Sequence, residues 1–203
     1  EAAMIWTDDV SDCSTWSFGN GAMEAGQPWT DIDINFECTT VGPTGPYNGW
    51  AGSNPVGTPQ PGLNSTTSDN GFLMIDSDFF GTDANYDAAW VENSWVQTVD
   101  PIDCSDHSYV SLSFQTRYRC WDNGASDGSE KCFVEISRDG TTWPSLSSSY
   151  VTEWQNEGLV DYGGDVVQCR YEVFPDSETG YQSDNPSILD FDVTGAAGGQ
   201  GSI

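Results

Sequence analysis

The sequence predicts an all-β protein, on three observations. Apolar residues nowhere recur at helical spacing over a helix's length, whereas short runs rich in β-branched and aromatic residues alternate with turn clusters at roughly regular intervals. Hydrophobic residues make up only 36% of the 203-residue chain, yet 9 Trp, 8 Tyr and 9 Phe supply large apolar areas per residue. A folded, aromatic-rich core is therefore expected despite the acidity.

Taken in order, strands are expected at residues 30–38, 71–76, 94–99, 109–120, 132–137, 166–174 and 188–193. The clearest is 109–120, where Val110, Leu112, Phe114, Thr116 and Tyr118 alternate with Ser111, Ser113, Gln115, Arg117 and Arg119. Strand side chains point to opposite faces in turn, so the first set is assigned to the core and the second to solvent or carboxylates. Between Val41 and Asn70 runs a stretch dense in Pro, Gly, Asn and Ser, longer than an ordinary connection. It reads as a packed or functional loop anchored by Tyr47, Trp50 and Leu63. The chain is expected to form one domain over residues 1–203, as befits its length.

Lys and Arg total 5 against 32 Asp and Glu, giving a formal charge of −27. Binding to nucleic acid, which works through cations on phosphates, is excluded on that count. The acids are spread along the chain, which suits salty or divalent-rich water and makes Ca²⁺ the natural counter-ion. The six cysteines include no CxxC pair, which favours disulfides over zinc and so an oxidising, extracellular setting at the cell surface. No apolar run is long enough for a membrane span. Glu1 to Ile5 lacks the basic start of a signal peptide, so a mature or internal segment is expected.

Cys120 and Cys132 flank a predicted hairpin across an acidic loop, and cross-strand neighbours of this kind make the first expected bridge. Six cysteines allow fifteen connectivities, and Cys13–Cys38 with Cys104–Cys169 is one of several completions.

Asp76, Asp78, Asp83, Asn85 and Asp87 place five oxygen-bearing side chains within twelve residues, with Gly81 between them. Such hard ligands suit Ca²⁺, which takes six to eight oxygens. An EF-hand is rejected, because position five is Phe80, position twelve is Asp87 rather than Glu, and no helical pattern flanks the loop. The expected site is a loop site completed by distant oxygens, among them Glu24. Trp50 and Trp121 stand in loop-like contexts where a flat ring can stack on a sugar, and they are the candidate ligand-binding residues; Trp143 reads as structural. Asn64-Ser65-Thr66 fits a glycosylation sequon.

Catalysis finds little support. His107 is the only histidine, and it stands in a turn, so a Ser-His-Asp or Cys-His system would rest on one residue. Zinc hydrolysis lacks a His cluster, and phosphate-cradling glycine motifs are missing. With 32 acids, carboxylate pairs carry no information about glycoside hydrolysis.

Several segments in order resemble the MAM-like, cleaved-adhesin-type jelly-roll domains of secreted Bacteroidetes surface proteins. They are Gly49-Trp50, the NGF…DSD stretch from Asn70 to Asp78, PIDCS from Pro101 to Ser105 and VSLSFQTRYR from Val110 to Arg119. VEISRDGTTW from Val134 to Trp143 and LDFDVTGAAGGQGS from Leu189 to Ser202 complete the set. The resemblance implies an antiparallel two-sheet sandwich, secretion by the type IX route, and a role in adhesion or carbohydrate contact. It also implies that the segment after Gln200 leads into further strands, so the chain is expected to be part of a longer polypeptide or to receive a strand from a neighbouring chain.

The expected function is thus a non-enzymatic, calcium-stabilised binding module on a cell surface, contacting a glycan or a surface protein. Two alternatives are a structural subunit of an extracellular filament or sheath, which contacts copies of itself, and an accessory module of a secreted hydrolase.

Overall fold

Strands form where the sequence alternates apolar and polar residues between turn formers, and the computed structural model shows eleven among the residues it describes, with almost no helix. Those residues are 3–20, 30–31, 35–44, 60–76, 90–91, 94–119, 132–140, 158–161, 167–174 and 181–203. Contacts divide the chain into two compact units, Asp8–Asp100 and Glu1–Thr7 with Pro101–Ile203.

The Asp8–Asp100 unit opens on a 3-10 turn, Cys13–Thr15, capped by Asp12, whose carboxylate accepts the Ser14 N–H at 2.9 Å. Its strands are β1 (Trp16–Asn20), β2 (Thr30–Asp31), β3 (Glu37–Thr39), β4 (Phe72–Met74), β5 (Trp90–Val91) and β6 (Ser94–Thr98). They pair as β1 with β6 and β3 with β4, both antiparallel, and β2 with β5, parallel. Gly19 lies opposite Trp95, and a Cβ there would sit on the indole, so the glycine lets the ring cross the neighbouring strand. Phe72 is the buried apolar side chain of β4. At the two described ends of the long Pro/Gly loop, the Gln60 N–H meets the Pro43 carbonyl at 2.8 Å. Leu63, one of the expected anchors, is half-buried; Tyr47 and Trp50 lie outside the described residues.

The second unit contains β7 (Ser111–Thr116), β8 (Phe133–Ile136), β9 (Gly158–Asp161), β10 (Val167–Glu172), β11 (Ser187–Asp192) and one short helix, α1 (Thr194–Ala197). β7 pairs with β11, and β10 lies between β8 and β9, all antiparallel. The β7–β11 register sets Leu112 opposite Phe191 and Phe114 opposite Leu189, while Ser111 and Ser113 face Asp192 and Asp190. The register thus gathers the apolar side chains on one face and Ser111, Ser113, Asp190 and Asp192 on the other, where exposed Ile188, opposite Gln115, is the apolar exception; Arg117 and Arg119 beyond it are half-buried rather than solvated. Burial, and next the Arg119 charge, pull the Arg117 guanidinium below its usual range.

The core of this unit is Cys104, Val110, Val193, Ala196 and Ala197. Leu112 and Phe191 pack against it, as do Ile136, Tyr171, Ile5, Ile102 and Ile203. The final residues are built into the unit: Ile203 exchanges both backbone hydrogen bonds with Ile102 at 3.1 and 3.2 Å, and the Cys104 N–H donates to the Gln200 carbonyl at 2.8 Å. Gly199, just past α1, has φ of 74°, a conformation that ends helices and favours glycine. No helix among the described residues is long and apolar enough to cross a membrane.

Candidate functional site

Three segments of the second unit converge on an aromatic cluster. Tyr118 follows β7 by two residues, Phe174 follows β10 by two, and Tyr181 precedes the bridge between Gln182 and Arg119. Ser183 holds the first and third segments together, since its N–H donates to the Tyr118 carbonyl at 2.9 Å and its hydroxyl accepts the Tyr118 N–H at 2.9 Å. Phe174 is placed by its neighbour Val173, which is 3% exposed and donates its N–H to the Cys132 carbonyl at 2.8 Å.

The Tyr118 and Phe174 rings stack with centroids 5.8 Å apart and planes 15° apart. Tyr181 leans on both, at 6.5 Å from Tyr118 and 5.2 Å from Phe174. All three are half-buried. Phe174 also has φ of 56°. Left-handed backbone costs a residue with a Cβ roughly 1–2 kcal/mol, and two ring contacts at ~0.5–1.5 kcal/mol each offset that cost. Rings packed this closely leave no slot between them, so what they offer a ligand is their outer, partly exposed π surface. Flat apolar faces of that kind stack on a sugar ring or an apolar side chain and carry out no bond chemistry.

The alternation sets Tyr118 on the apolar face of its strand, while Phe174 and Tyr181 carry no signal of a site in the sequence. Phe174 precedes Pro175, a position ordinarily extended, so nothing in the sequence announced a left-handed phenylalanine.

Of the proposed calcium ligands, Asp76 is described. It is half-buried two residues past β4, and its Oδ2 accepts the Thr44 N–H at 2.7 Å. Asp78, Asp83, Asn85, Asp87 and Glu24 lie outside the described residues, as do Trp50 and Trp121. Among the described residues no group of three or more metal-ligating side chains gathers. The Asp8–Asp12 turn gathers acidic residues among those described. There the Asp8 and Asp9 carboxylates accept the Val10 and Ser11 N–H groups at 2.6 and 3.1 Å, and Asn70 Nδ2 donates to Asp9 at 2.9 Å. These carboxylates are spent on shaping the chain.

The Cys13–Cys38 bridge is present, with Cα atoms 5.9 Å apart, and it fastens the 3-10 turn to β3. Cys104 and Cys132 are free thiols, so the expected 120–132 and 104–169 bridges are not formed in the structure. Cys120 lies outside the described residues, and Cys169 stands on β10 opposite Ile136. Burial pushes the Cys104 thiol up and the Cys132 thiol up to about 11. His107 occupies the turn after Cys104, its backbone N–H on the Cys104 carbonyl at 3.0 Å and its own carbonyl accepting the Gly199 N–H at 2.8 Å.

No family model, curated protein or solved structure matches the chain.

Proposed function

We propose that the chain is a non-enzymatic binding module of an extracellular surface protein, and that it contacts a glycan or an apolar surface partner through the Tyr118–Phe174–Tyr181 cluster. The observation that carries this reading is the left-handed Phe174, held by ring stacking at a half-exposed position where three segments meet. Backbone strain of this kind concentrates at ligand sites. The Cys13–Cys38 bridge supports an oxidising location.

The MAM-like resemblance belongs to the same reading, with its two-sheet sandwich and type IX secretion. Supporting the sandwich, Leu112 and Phe191 of the β7–β11 pair and Ile136 and Tyr171 of the β8–β10 pair pack against one cluster. Calcium is assigned to the Asp76–Asp87 stretch with Glu24, and Trp50 and Trp121 serve as further stacking surfaces.

The experiment is a glycan array followed by titration calorimetry on the sugars retained. Retention of a defined set, lost in Tyr181→Ala and Phe174→Ala while circular dichroism stays that of the parent, is the expected outcome. An array that retains nothing, or variants that bind as the parent does, overturns it.

A further inference from the structure

Trp95 is 38% exposed on β6, although the β1–β6 pair has an apolar face without it. Side chains alternate along a strand and directly opposed residues share a face. The register therefore puts Trp16, Phe18, Val96 and Thr98 on one face, all half-buried, and Ser17, Gly19, Trp95 and Gln97 on the other. The exposed indole belongs to the second face, which is otherwise polar.

Gly19 faces Trp95 directly, and a Cβ there would collide with Cζ2 of the indole and lie 2.8 Å from Cε2 and 3.0 Å from Cη2. The six-membered ring thus fills the space above the glycine that any other side chain would take. Two choices that each cost stability stand opposite each other, a glycine inside a strand and a large aromatic in contact with water. Together they hold an aromatic platform against the backbone of β1. Gln97 follows two residues along the strand of Trp95, and Ser17 is the register partner of Gln97, so a carboxamide and a hydroxyl border the ring on its own face.

We propose that this face binds a neutral pyranose residue of a glycan, its C–H surface stacked on Trp95 and its hydroxyls met by the Gln97 carboxamide and the Ser17 hydroxyl. Charge selects this occupant. Ser17, Gly19, Trp95 and Gln97 are uncharged in a chain of formal charge −27, so an acidic sugar is repelled by the whole and finds no cation on the platform. A purely apolar partner would strip water from the carboxamide and the hydroxyl without replacing its hydrogen bonds. A neutral sugar supplies an apolar surface and hydroxyls together. The ligand class is that of the Tyr118–Phe174–Tyr181 reading, but the residues belong to the Asp8–Asp100 unit, so either site can fail without the other.

The test is carbene footprinting of the full chain, alone and with the hexasaccharides of cellulose, xylan, mannan and β-1,3-glucan, with oligogalacturonate as the acidic control. Labelling at Trp95 is expected to fall severalfold with at least one neutral sugar and to stay unchanged with oligogalacturonate, while labelling at Tyr181 reports the other site separately. By titration calorimetry, Trp95→Ala should bind the protecting sugar about tenfold more weakly, the scale of one aromatic stacking contact, and Gln97→Ala should also bind it more weakly. Labelling of Trp95 that no neutral sugar reduces, or that oligogalacturonate alone reduces, overturns the proposal, and so does parent-like affinity in both variants. Protection of Tyr181 without Trp95 overturns it too and leaves the other site standing. If Trp95→Ala fails to fold, the footprint of the parent and the affinity of Gln97→Ala decide.

Discussion

Arg138 reaches from the turn after β8 to the carbonyls of α1, its Nε donating to the Ala196 oxygen at 2.8 Å and a terminal nitrogen donating to the Gly195 oxygen at 2.9 Å. The last carbonyls of a helix have no partner within it, and here a half-buried guanidinium supplies one. Arg138→Ala is expected to destabilise this unit by about 2 kcal/mol, the scale of losing charge-assisted bonds at partly buried carbonyls. Arg138→Lys should recover only part, because an ammonium lacks the planar fork that serves two acceptors. Urea denaturation of the three proteins checks both; a parent-like midpoint for the alanine variant shows the contact to be without weight.

The Cys13–Cys38 bridge closes a sequence separation of 25. Restricting the unfolded chain over that length is worth about 3.5 kcal/mol in the chain-entropy treatment. Cys13→Ser should lower the stability of the Asp8–Asp100 unit on that scale and leave the transition of the other unit in place. Calorimetry, which separates two transitions if the units unfold independently, gives the answer. A unit that melts at the parent temperature contradicts it.

Asp9, Asp12, Asp103 and Asp192 are each held below 3.8 by hydrogen bonds they accept, from Ser11, Ser14, Ser105 and Thr194 respectively. A carboxylate whose pKa is lower folded than unfolded adds stability that is fully present above the unfolded value and lost as pH falls through the folded one. The melting temperature should therefore be flat at neutral pH and fall below about pH 4. Asp192→Asn should cost stability at pH 7 and converge on the parent in acid. A gap that stays constant from pH 7 to pH 2 would show that the charge plays no part.

Much of the fold was legible because strands are written in short alternations. Each of the seven expected strands overlaps an observed one, β7 with its two faces sorted as read. What was missed has a physical reason in each case. Trp90–Val91 is too short to show a period, and Gly158–Asp161 is one brief apolar run. Trp16–Asn20 carries a glycine that weakens a strand on paper and is explained only by Trp95 across the ladder. The helix Thr194–Ala197 is a single turn and needed Arg138, distant in sequence, to complete it. Of the cysteine pairings, Cys13–Cys38 is one of several that the sequence leaves open, and it is the one the structure shows among the described residues. The aromatic cluster was not legible, because it depends on three segments meeting rather than on any local pattern.

Calcium added to chelator-treated protein is expected to raise the melting temperature, since a ligand held only by the folded state stabilises it by about 2.7 kcal/mol at a hundredfold excess over Kd. Asp78→Ala should abolish most of the response. Asp76→Ala should do so as well and, in addition, lower stability without calcium, because its Oδ2 already accepts the Thr44 N–H. Melting curves that coincide with and without chelator would exclude the site, and a response that survives Asp78→Ala would move it elsewhere.

Phe174 allows the strain and the ring to be separated. At φ of 56°, alanine keeps the steric penalty and loses both ring contacts, whereas glycine loses the contacts but is at ease in that region. Both variants forfeit roughly the same stacking energy, so Phe174→Gly should be more stable than Phe174→Ala by about 1 kcal/mol. At an ordinary exposed position with negative φ the order reverses, because glycine has more backbone entropy to lose. The sign of the difference therefore reports the backbone directly, and denaturant titrations of the two variants measure it. Glycan binding should be lost in both, since each lacks the ring that packs on both Tyr118 and Tyr181. If glycine proves the less stable, Phe174 is not strained; if either variant binds as tightly as the parent, the cluster is a packing feature and the binding face lies elsewhere.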